Sequence, residues 1–208
     1  MKQALAILAL AATSATFATA TSAQGVYVFG DLGQSDFDLG SAPGFSVDET
    51  DTMYGIGVGY SFNDYFSAEL GYVDLGESTI STNAPISGTV FGSSFSIDGK
   101  FAIDATGVFF GVRGDLPVSD SIDLFARAGM LHWQSDASFS GTITIDGDTF
   151  TSGSGELDDG TDPYLGLGAS YAFNDNVSVN AQWNRYMLDM LGEDLDIDTL
   201  SVGLAYRF

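Results

Sequence analysis

The chain contains few side chains that could perform catalysis or hold a transition metal. It has one histidine, His132, and no cysteine. Without cysteine there can be no disulfide, thiolate zinc site or cysteine nucleophile, and one imidazole cannot form a histidine cluster. A hydrolase would need His132 to converge with a serine or a carboxylate, and only Ser135 and Asp136 lie near it in the sequence. We therefore expect a protein that is not an enzyme and holds no metal or cofactor.

The remaining reactive side chains are mostly carboxylates. The 208 residues include 28 Asp and Glu against 6 Lys and Arg, which gives a net charge of −22 at pH 7. Proteins that bind nucleic acid or an anionic membrane surface present a basic patch, so this balance argues against both. Because 45% of the residues are hydrophobic and 13% aromatic, the chain is also not a disordered acidic tail.

The first 23 residues have the features of a removable export signal. Lys2 supplies a positive charge, residues 4–12 form a short apolar segment, and the small residues of 21–23 precede Gln24 as a cleavage site. We expect a signal peptide over 1–23 and a single domain over 24–208.

Beyond the signal, large apolar residues alternate with small ones at the period of a β-strand. At the end of the chain one face carries Leu200, Val202, Leu204, Tyr206 and Phe208. The other face carries Thr199, Ser201, Gly203, Ala205 and Arg207. A soluble β-sandwich would need a strongly polar second face, whereas small residues suit the narrow lumen of a small barrel whose large apolar side chains face lipid. No apolar run of about 18 residues predicts a membrane-spanning helix.

This alternation predicts eight strands. They lie near 26–35, 52–62, 65–75, 104–116, 122–134, 163–173, 177–187 and 198–208. Their connections are short at 63–64, 117–121 and 174–176, and long at 36–51, 76–103, 135–162 and 188–197. Short periplasmic turns alternating with long outer loops are typical of outer-membrane barrels. The predicted fold is all-β, an eight-stranded antiparallel up-and-down transmembrane β-barrel with both termini in the periplasm.

Four segments carry a family resemblance: residues 68–76, 124–133, 163–173 and 206–208. In this order they resemble the OmpA-like family of eight-stranded outer-membrane barrels in Gram-negative bacteria. The resemblance implies a monomer in the cell outer membrane, in contact with its lipid and lipopolysaccharide. The residues Leu204, Tyr206 and Phe208 resemble the signal read by the barrel assembly machinery, which is therefore an expected partner during biogenesis.

Four charged residues are predicted to point into the lumen. Strand alternation turns Asp31, Glu69, Arg113 and Arg127 inward, and they fall within roughly 7 Å of one height. Charges at one level in a narrow lumen should pair, because an unpaired charge keeps its desolvation cost. The resemblance implies lumen salt bridges at Glu69 and Arg113. We interpret the four as an ion cluster that plugs the lumen, and the alternative is the gate of a small pore.

Charged residues outside the lumen suggest contacts with the outer leaflet. Arg185 and Asp198 are expected to face each other across two strands as an interface salt bridge, or Arg185 contacts a lipopolysaccharide phosphate. Acidic runs at 146–148 and 156–162 carry the hard oxygen donors that suit calcium, and three more acids share one face over 194–198. Neither 146–148 nor 156–162 has the spacing of a twelve-residue calcium loop. We interpret them as a solvated surface, with weak divalent bridging to lipopolysaccharide as the alternative.

Two long loops have the composition of strands. Residues 86–91, 94–97 and 139–145 predict either a sheet that protrudes from the membrane or flexible loops with some hairpin content. A sheet edge would suit adhesion by strand addition.

Aromatic residues near the strand ends predict interfacial girdles. These are Tyr54, Tyr60, Phe62, Phe66, Tyr72, Trp133, Tyr171, Phe173, Trp183, Tyr206 and Phe208, of which Trp133 has inward parity.

Together these patterns predict an integral outer-membrane barrel with a structural, membrane-integrity or surface-interaction role and a largely plugged lumen. A low-conductance pore for ions or small solutes is the alternative. An adhesin that uses the two protruding loops is the third interpretation.

Overall fold

The computed structural model describes residues 25–37, 45–48, 50–82, 86–90, 93–190 and 192–208. The expected signal over 1–23 lies outside these residues. No helix in the described part of the chain is long and apolar enough to cross a membrane. The ten strands are β1 (Gly25–Phe37), β2 (Phe45–Asp48), β3 (Thr50–Ser61), β4 (Phe66–Thr82), β5 (Ile86–Val90), β6 (Ser93–Pro117), β7 (Ile122–Ile145), β8 (Asp148–Ala172), β9 (Val177–Met190) and β10 (Glu193–Arg207).

Eight of these strands close into a ring in which every pairing is antiparallel. Neighbours along the chain pair from β6 to β10, and β1 pairs with both β3 and β10. The ring is completed by the β3–β4 and β4–β6 ladders. The two short strands β2 and β5 add to β4 and β6 outside the ring. The predicted eight-stranded up-and-down barrel is confirmed, and β2 and β5 are additions to it.

The three short turns are closed by side-chain acceptors. Asn63 Oδ1 accepts hydrogen bonds from the backbone N–H groups of Tyr65 and Phe66 at 2.8 and 3.0 Å. Asn174 Oδ1 repeats this arrangement in the turn between β8 and β9, where it accepts the backbone N–H groups of Asn176 and Val177, both at 2.9 Å. Ser119 Oγ serves the third turn at 3.3 and 3.1 Å. Short polar side chains thus supply the partners that a tight turn leaves its backbone without.

The outer wall of the barrel carries the large apolar residues. Leu200, Leu204 and Leu116 expose 68%, 61% and 63% of their surface, which is the arrangement expected of side chains that face lipid rather than a second sheet. Residues of opposite parity on the same strands face the lumen and are largely buried. The predicted orientation of these strands is therefore confirmed.

The lumen is more crowded than a lining of small residues would suggest. A Cβ atom added to Gly59 would overlap the ring of Tyr27, and one added to Gly57 would overlap the ring of Phe29. Gly168 has the same relation to Phe125. Each glycine lies beneath an aromatic side chain from a neighbouring strand. Small residues therefore line the wall because large side chains lie flat across them.

Three strands continue far beyond the height of a membrane. β6, β7 and β8 contain 25, 24 and 25 residues, whereas a tilted strand crosses the hydrocarbon layer in about 9–11 residues. The regions 76–103 and 135–162, expected to be long loops, are mostly strand. We call the part of β6–β8 that extends beyond Asp104, Asp136 and Glu156, away from the short turns, the protruding sheet. Within it, Phe101 and Phe139 pair across two strands with ring centroids 4.6 Å apart.

Candidate functional site

The outer half of the lumen is filled by apolar side chains. The seven largest of those that are exposed by 2% or less are Phe37, Met53, Leu75, Leu131, Trp133, Leu188 and Ile197. They lie on the side of the ring away from the short turns, and we call these seven residues the apolar plug. Sequence reasoning missed the plug, although the inward parity of Trp133 was its signal. At these outer ends large apolar residues occupy the inner face too, so the small-residue pattern no longer identifies the lumen.

A carboxylate holds the tryptophan of the plug in place. Trp133 Nε1 donates a hydrogen bond of 2.6 Å to Asp162 Oδ2, and the same oxygen accepts the backbone N–H of Asp189 at 3.2 Å. The ring lies against Gly160, where an added Cβ would approach it to 2.8 Å. Asp162 thereby ties β7, β8 and β9 together at the outer mouth.

A buried ion pair lies in the polar part of the lumen. Arg127 Nη2 is 3.2 Å from Glu69 Oε1, and the two side chains are 5% and 0% exposed. The Tyr27 hydroxyl donates to the same oxygen at 2.7 Å. A buried carboxylate of this kind needs both partners: removing Arg127 leaves its charge uncompensated, and removing the Tyr27 hydroxyl takes away a hydrogen bond.

The other two predicted members of the cluster do not join this pair. Arg113 donates from Nε and Nη2 to Asp115 Oδ1 at 2.9 and 2.7 Å, and its guanidinium lies 3.8 Å from the centre of the Phe125 ring. Asp115 was missed by sequence reasoning, although it lies two residues from Arg113 and so shares its face. Asp31 is buried nearby and makes no ion pair with the described residues. The structure thus divides the predicted four-residue cluster into separate parts.

Arg185 faces Asp198 on the outer wall, as the register of β9 and β10 predicts. Its Nε and Nη2 donate to the two carboxylate oxygens of Asp198 at 2.8 and 2.6 Å. Nη1 lies 3.4 Å from Asp196, and the guanidinium lies 5.7 Å from the ring of Trp183. This forked geometry engages Arg185 with protein carboxylates.

Three aromatic pairs mark the rim at the short turns. The ring centroids of Tyr206 and Phe208 are 5.1 Å apart in an edge-to-face arrangement. Tyr60–Phe62 and Tyr171–Phe173 repeat this geometry at 5.3 and 5.2 Å. Leu204, Tyr206 and Phe208 all expose their side chains on the outer wall. The proposed assembly signal is therefore an accessible surface of the last strand.

Acidic residues form a row across four strands, just beyond the exposed apolar residues of the outer wall on the side away from the short turns. Glu77 pairs with Asp104, Asp104 with Asp136, and Asp136 with Glu156, on four neighbouring strands. We call these four residues the acidic row. Burial and the nearby Asp136 carboxylate raise the pKa of Asp104 above its usual value. Lys100 Nζ lies 3.1 Å from Glu77. Nowhere in the described ranges do three or more His, Cys, Asp or Glu residues form a metal-binding group.

His132 lies on the outer wall and contacts the neighbouring strand. Its Nδ1 is 3.0 Å from both the carbonyl oxygen of Gly160 and the hydroxyl of Thr161. Ser135 is fully buried, whereas Asp136 is exposed in the acidic row. The structure therefore does not bring His132 together with the two residues considered with it for catalysis.

Comparisons with known proteins agree with this architecture. A family model, the outer membrane protein beta-barrel domain, matches residues 4–208. Outer membrane protein A of Yersinia pseudotuberculosis serotype I is 31% identical over 214 residues, which cover 97% of this chain and 54% of that protein. Outer membrane protein A of Klebsiella aerogenes is 29% identical over 218 residues, covering 100% and 55%. The chain thus spans about half the length of these relatives.

Solved structures show the same fold at low sequence identity. Neisserial surface protein A superposes with a TM-score of 0.56 and 16% identity, covering 88% of this chain and 97% of that one. Ail, the attachment invasion locus protein of Yersinia pestis, gives 0.50 and 19%, with coverage of 90% and 100%. With the family match over nearly its whole length, the chain belongs to the outer membrane protein beta-barrel domain family and resides in the cell outer membrane.

Proposed function

We propose that this barrel is closed to solutes and serves a structural and surface-interaction role in the outer membrane. The observation that carries the proposal is the apolar plug, whose seven side chains expose 2% or less of their surface. Ions cross a low-dielectric region only at a large cost in desolvation. Because the plug lies above the Glu69–Arg127 pair, rearranging that ion pair alone leaves the outer half of the lumen closed.

Single-channel recording in planar bilayers tests the closed lumen. We expect no stepwise conductance from the wild type or from Arg127→Ala, because the apolar plug is intact in both. The matched variant is Leu131→Ser/Leu188→Ser, which places two hydroxyls in the plug and should admit water and small ions. Stepwise conductance of the wild type that is altered in Arg127→Ala would refute the proposal and support the small gated pore.

A second candidate role, adhesion, is supported by the protruding sheet. The ladder between β8 and β9 starts at Tyr164, and Asp162 also contacts β9, so in the described chain β8 from Asp148 to Thr161 presents an open edge to the exterior. The Ail structure was also solved with sucrose octasulfate, a heparin analogue. This sheet has acidic residues, and its basic residue Lys100 pairs with Glu77. The charge favours a cationic partner rather than an anionic polysaccharide.

Cell binding would test the adhesin role. Bacteria that display the wild type, or a variant in which residues 139–153 are replaced by Asn-Gly, are compared on host cells. The adhesin role predicts binding that is lost with the shortened sheet and weakened by salt. Equal binding by both strains would remove it.

We also propose two partners in the membrane. Lipopolysaccharide phosphates would be bridged to the acidic row by weakly bound divalent cations, because Arg185 is engaged by Asp196 and Asp198. Calcium should then raise the unfolding midpoint in lipopolysaccharide vesicles and not in phosphatidylcholine vesicles.

The barrel assembly machinery would read Leu204, Tyr206 and Phe208, so deletion of Phe208 should lower the amount of folded barrel in cells but not refolding in detergent.

A further inference from the structure

One wall of the lumen, formed by β1, β9 and β10, carries buried oxygen atoms without hydrogen-bond partners. The side chains are Asp31, Asn180, Gln182, Asn184 and Ser201, exposed by 9%, 3%, 3%, 1% and 2%. One oxygen of each receives no hydrogen bond from the residues that the structure describes. Buried polar atoms are nearly always satisfied, so a group of them on one wall indicates an additional binding partner.

The register brings four of these side chains together. Asp31 pairs with Gly203 on β10, and Gly203 pairs with Asn180 on β9. A Cβ atom at Gly203 would overlap Asp31 Oδ1, so the carboxylate lies across the bare backbone of β10. Ser201 and Gln182 form the next inward-facing pair. Asp31 and the two β9 amides are two strand spacings apart, about 9.6 Å at the backbone. Their side chains span this distance across Gly203, and Gln182 makes a side-chain hydrogen bond to the Asp31 carboxylate.

Asn184 extends this wall toward the ion pair. Its Nδ2 donates to Thr199 Oγ1 at 3.4 Å, while its Oδ1 is unsatisfied. A Cβ atom at Gly166 would overlap that oxygen and would approach Arg127 Cγ to 3.0 Å. Glycines on β8 and β10 therefore let polar side chains lie flat here, as aromatic rings do elsewhere in the lumen.

The charges at this level do not balance. Glu69 and Arg127 form an ion pair, and Arg113 is engaged by Asp115. The guanidinium of Arg127 lies near both Glu69 and Asp31 but carries one positive charge for two carboxylates. With Asp31 ionised, the group Asp31, Glu69 and Arg127 has one excess negative charge. An excess charge in a buried site is strongly unfavourable unless a proton or a counterion compensates it.

We propose that Asp31, Asn180, Gln182 and Ser201 bind one small monovalent metal cation, with Na⁺ as the best fit. The Asp31 carboxylate supplies the charge, and two amide oxygens and a hydroxyl supply neutral hard ligands. A divalent ion is disfavoured because calcium sites use several carboxylates. The unsatisfied oxygens have almost no accessible surface, which favours a bare ion smaller than water. Cation binding at this site does not depend on the apolar plug, so it could occur whether or not the lumen is closed to solutes.

The experiment compares unfolding of the refolded barrel in NaCl and in tetramethylammonium chloride at equal ionic strength. Tetramethylammonium carries the same charge but is too large for the site. Because a ligand of the native state stabilises by mass action, the midpoint of the wild type should rise by about 3–5 °C per tenfold increase in Na⁺ above its dissociation constant. The variant Asp31→Asn keeps the size of the side chain, removes the charge, and should lose this dependence.

A surface variant controls for general electrostatics. Asp194→Asn makes the same chemical change on an exposed residue and should respond to Na⁺ as the wild type does. Excess ²³Na relaxation should accompany the wild type and Asp194→Asn, and disappear in Asp31→Asn. Equal midpoints of the wild type in the two salts would overturn the proposal, as would an unchanged Na⁺ response in Asp31→Asn. If Asp31→Asn does not refold, Gln182→Met replaces it and should likewise lose the Na⁺ response. The comparison of wild-type midpoints in the two salts tests the proposal without any variant.

Discussion

At the scale of single residues, the polar contacts of the barrel follow from the cost of leaving a charge or a donor unpaired in a low-dielectric interior. Asp162 satisfies both an indole N–H and a backbone N–H at the outer mouth. Glu69 receives a guanidinium and a phenol. Such groups contribute most when one partner is removed, since the other then remains buried and unsatisfied.

The Asp162→Ala variant should destabilise the barrel by about 1.5–3 kcal/mol, the range for a hydrogen bond to a charged group. Trp133 loses its acceptor and β9 loses a backbone contact. Urea unfolding in lipid vesicles, followed by tryptophan fluorescence, measures the change. Asp159→Ala is the control, because it removes an exposed carboxylate from the same strand. Equal midpoints for the two variants would show that Asp162 does not hold the plug.

The acidic row makes stability depend on pH. A carboxyl whose pKa is raised by folding binds its proton more tightly in the native state, so stability falls as pH rises through that pKa. Asp104 is such a group. Asp104→Asn should therefore stabilise the protein at pH 7, by less than about 1 kcal/mol because the site is partly solvated.

That advantage should shrink below about pH 4, where Asp104 is protonated in both the folded and the unfolded chain. Urea midpoints of the wild type and Asp104→Asn at the two pH values provide the measurement. Asp146→Asn is a suitable comparison, because hydrogen bonds from Ser93 and Ser94 lower the pKa of Asp146 and predict the opposite sign at pH 7. A pH-independent difference for Asp104→Asn would contradict this account.

At the scale of strands, the fold depends on pairing a glycine with a large side chain on the neighbouring strand. Gly59 and Tyr27 are register partners on β3 and β1, as are Gly57 and Phe29. The glycine is needed for space, because its φ is ordinary for a strand. This pairing explains how an eight-stranded ring accommodates so many aromatic side chains.

Gly59→Ala should therefore cost about 1–3 kcal/mol, the usual range for overpacking, because its methyl group would overlap the Tyr27 ring. Gly153→Ala is the matched control, since a Cβ there meets no atom within 4 Å. In a Tyr27→Leu background, which also lacks the hydroxyl that donates to Glu69, Gly59→Ala should cost less than it does in the wild type. Unfolding midpoints in vesicles decide, and similar losses for the two alanine variants would argue against steric overlap.

The strands within the membrane were predictable and the strand ends were not, for a physical reason. Lipid requires large apolar side chains on one face, so alternation identified the membrane parts of strands, such as 122–134 in β7 and 198–208 in β10. Outside the lipid this requirement ends, and the continuation of β7 to Ile145 depends on pairing with β6 and β8. For the candidate site, parity placed Glu69 and Arg127 in the lumen. It could not show that Arg113 bonds to Asp115, because that choice depends on side-chain rotamers.

At the scale of the whole molecule, the barrel divides into a membrane ring and a protruding sheet on one side. The plug and the closing ladders belong to the ring, so the ring should fold without the upper sheet. Replacing residues 139–153 with Asn-Gly joins Ser138 to Ser154, which are register partners, through a two-residue hairpin turn. The shortened protein should retain a heat-dependent shift of its gel band. Loss of that shift would mean that the upper sheet is required for closure.

The height of β6–β8 also bears on how the protein survives at the cell surface. A regular ladder offers a protease little extended, unpaired backbone to bind. Trypsin-like enzymes, which cut after lysine or arginine, find neither residue between Arg127 and Arg185, and Lys100 is engaged with Glu77. A wall reaching well past the lipid can thus resist trypsin-like cleavage without a disulfide to hold it.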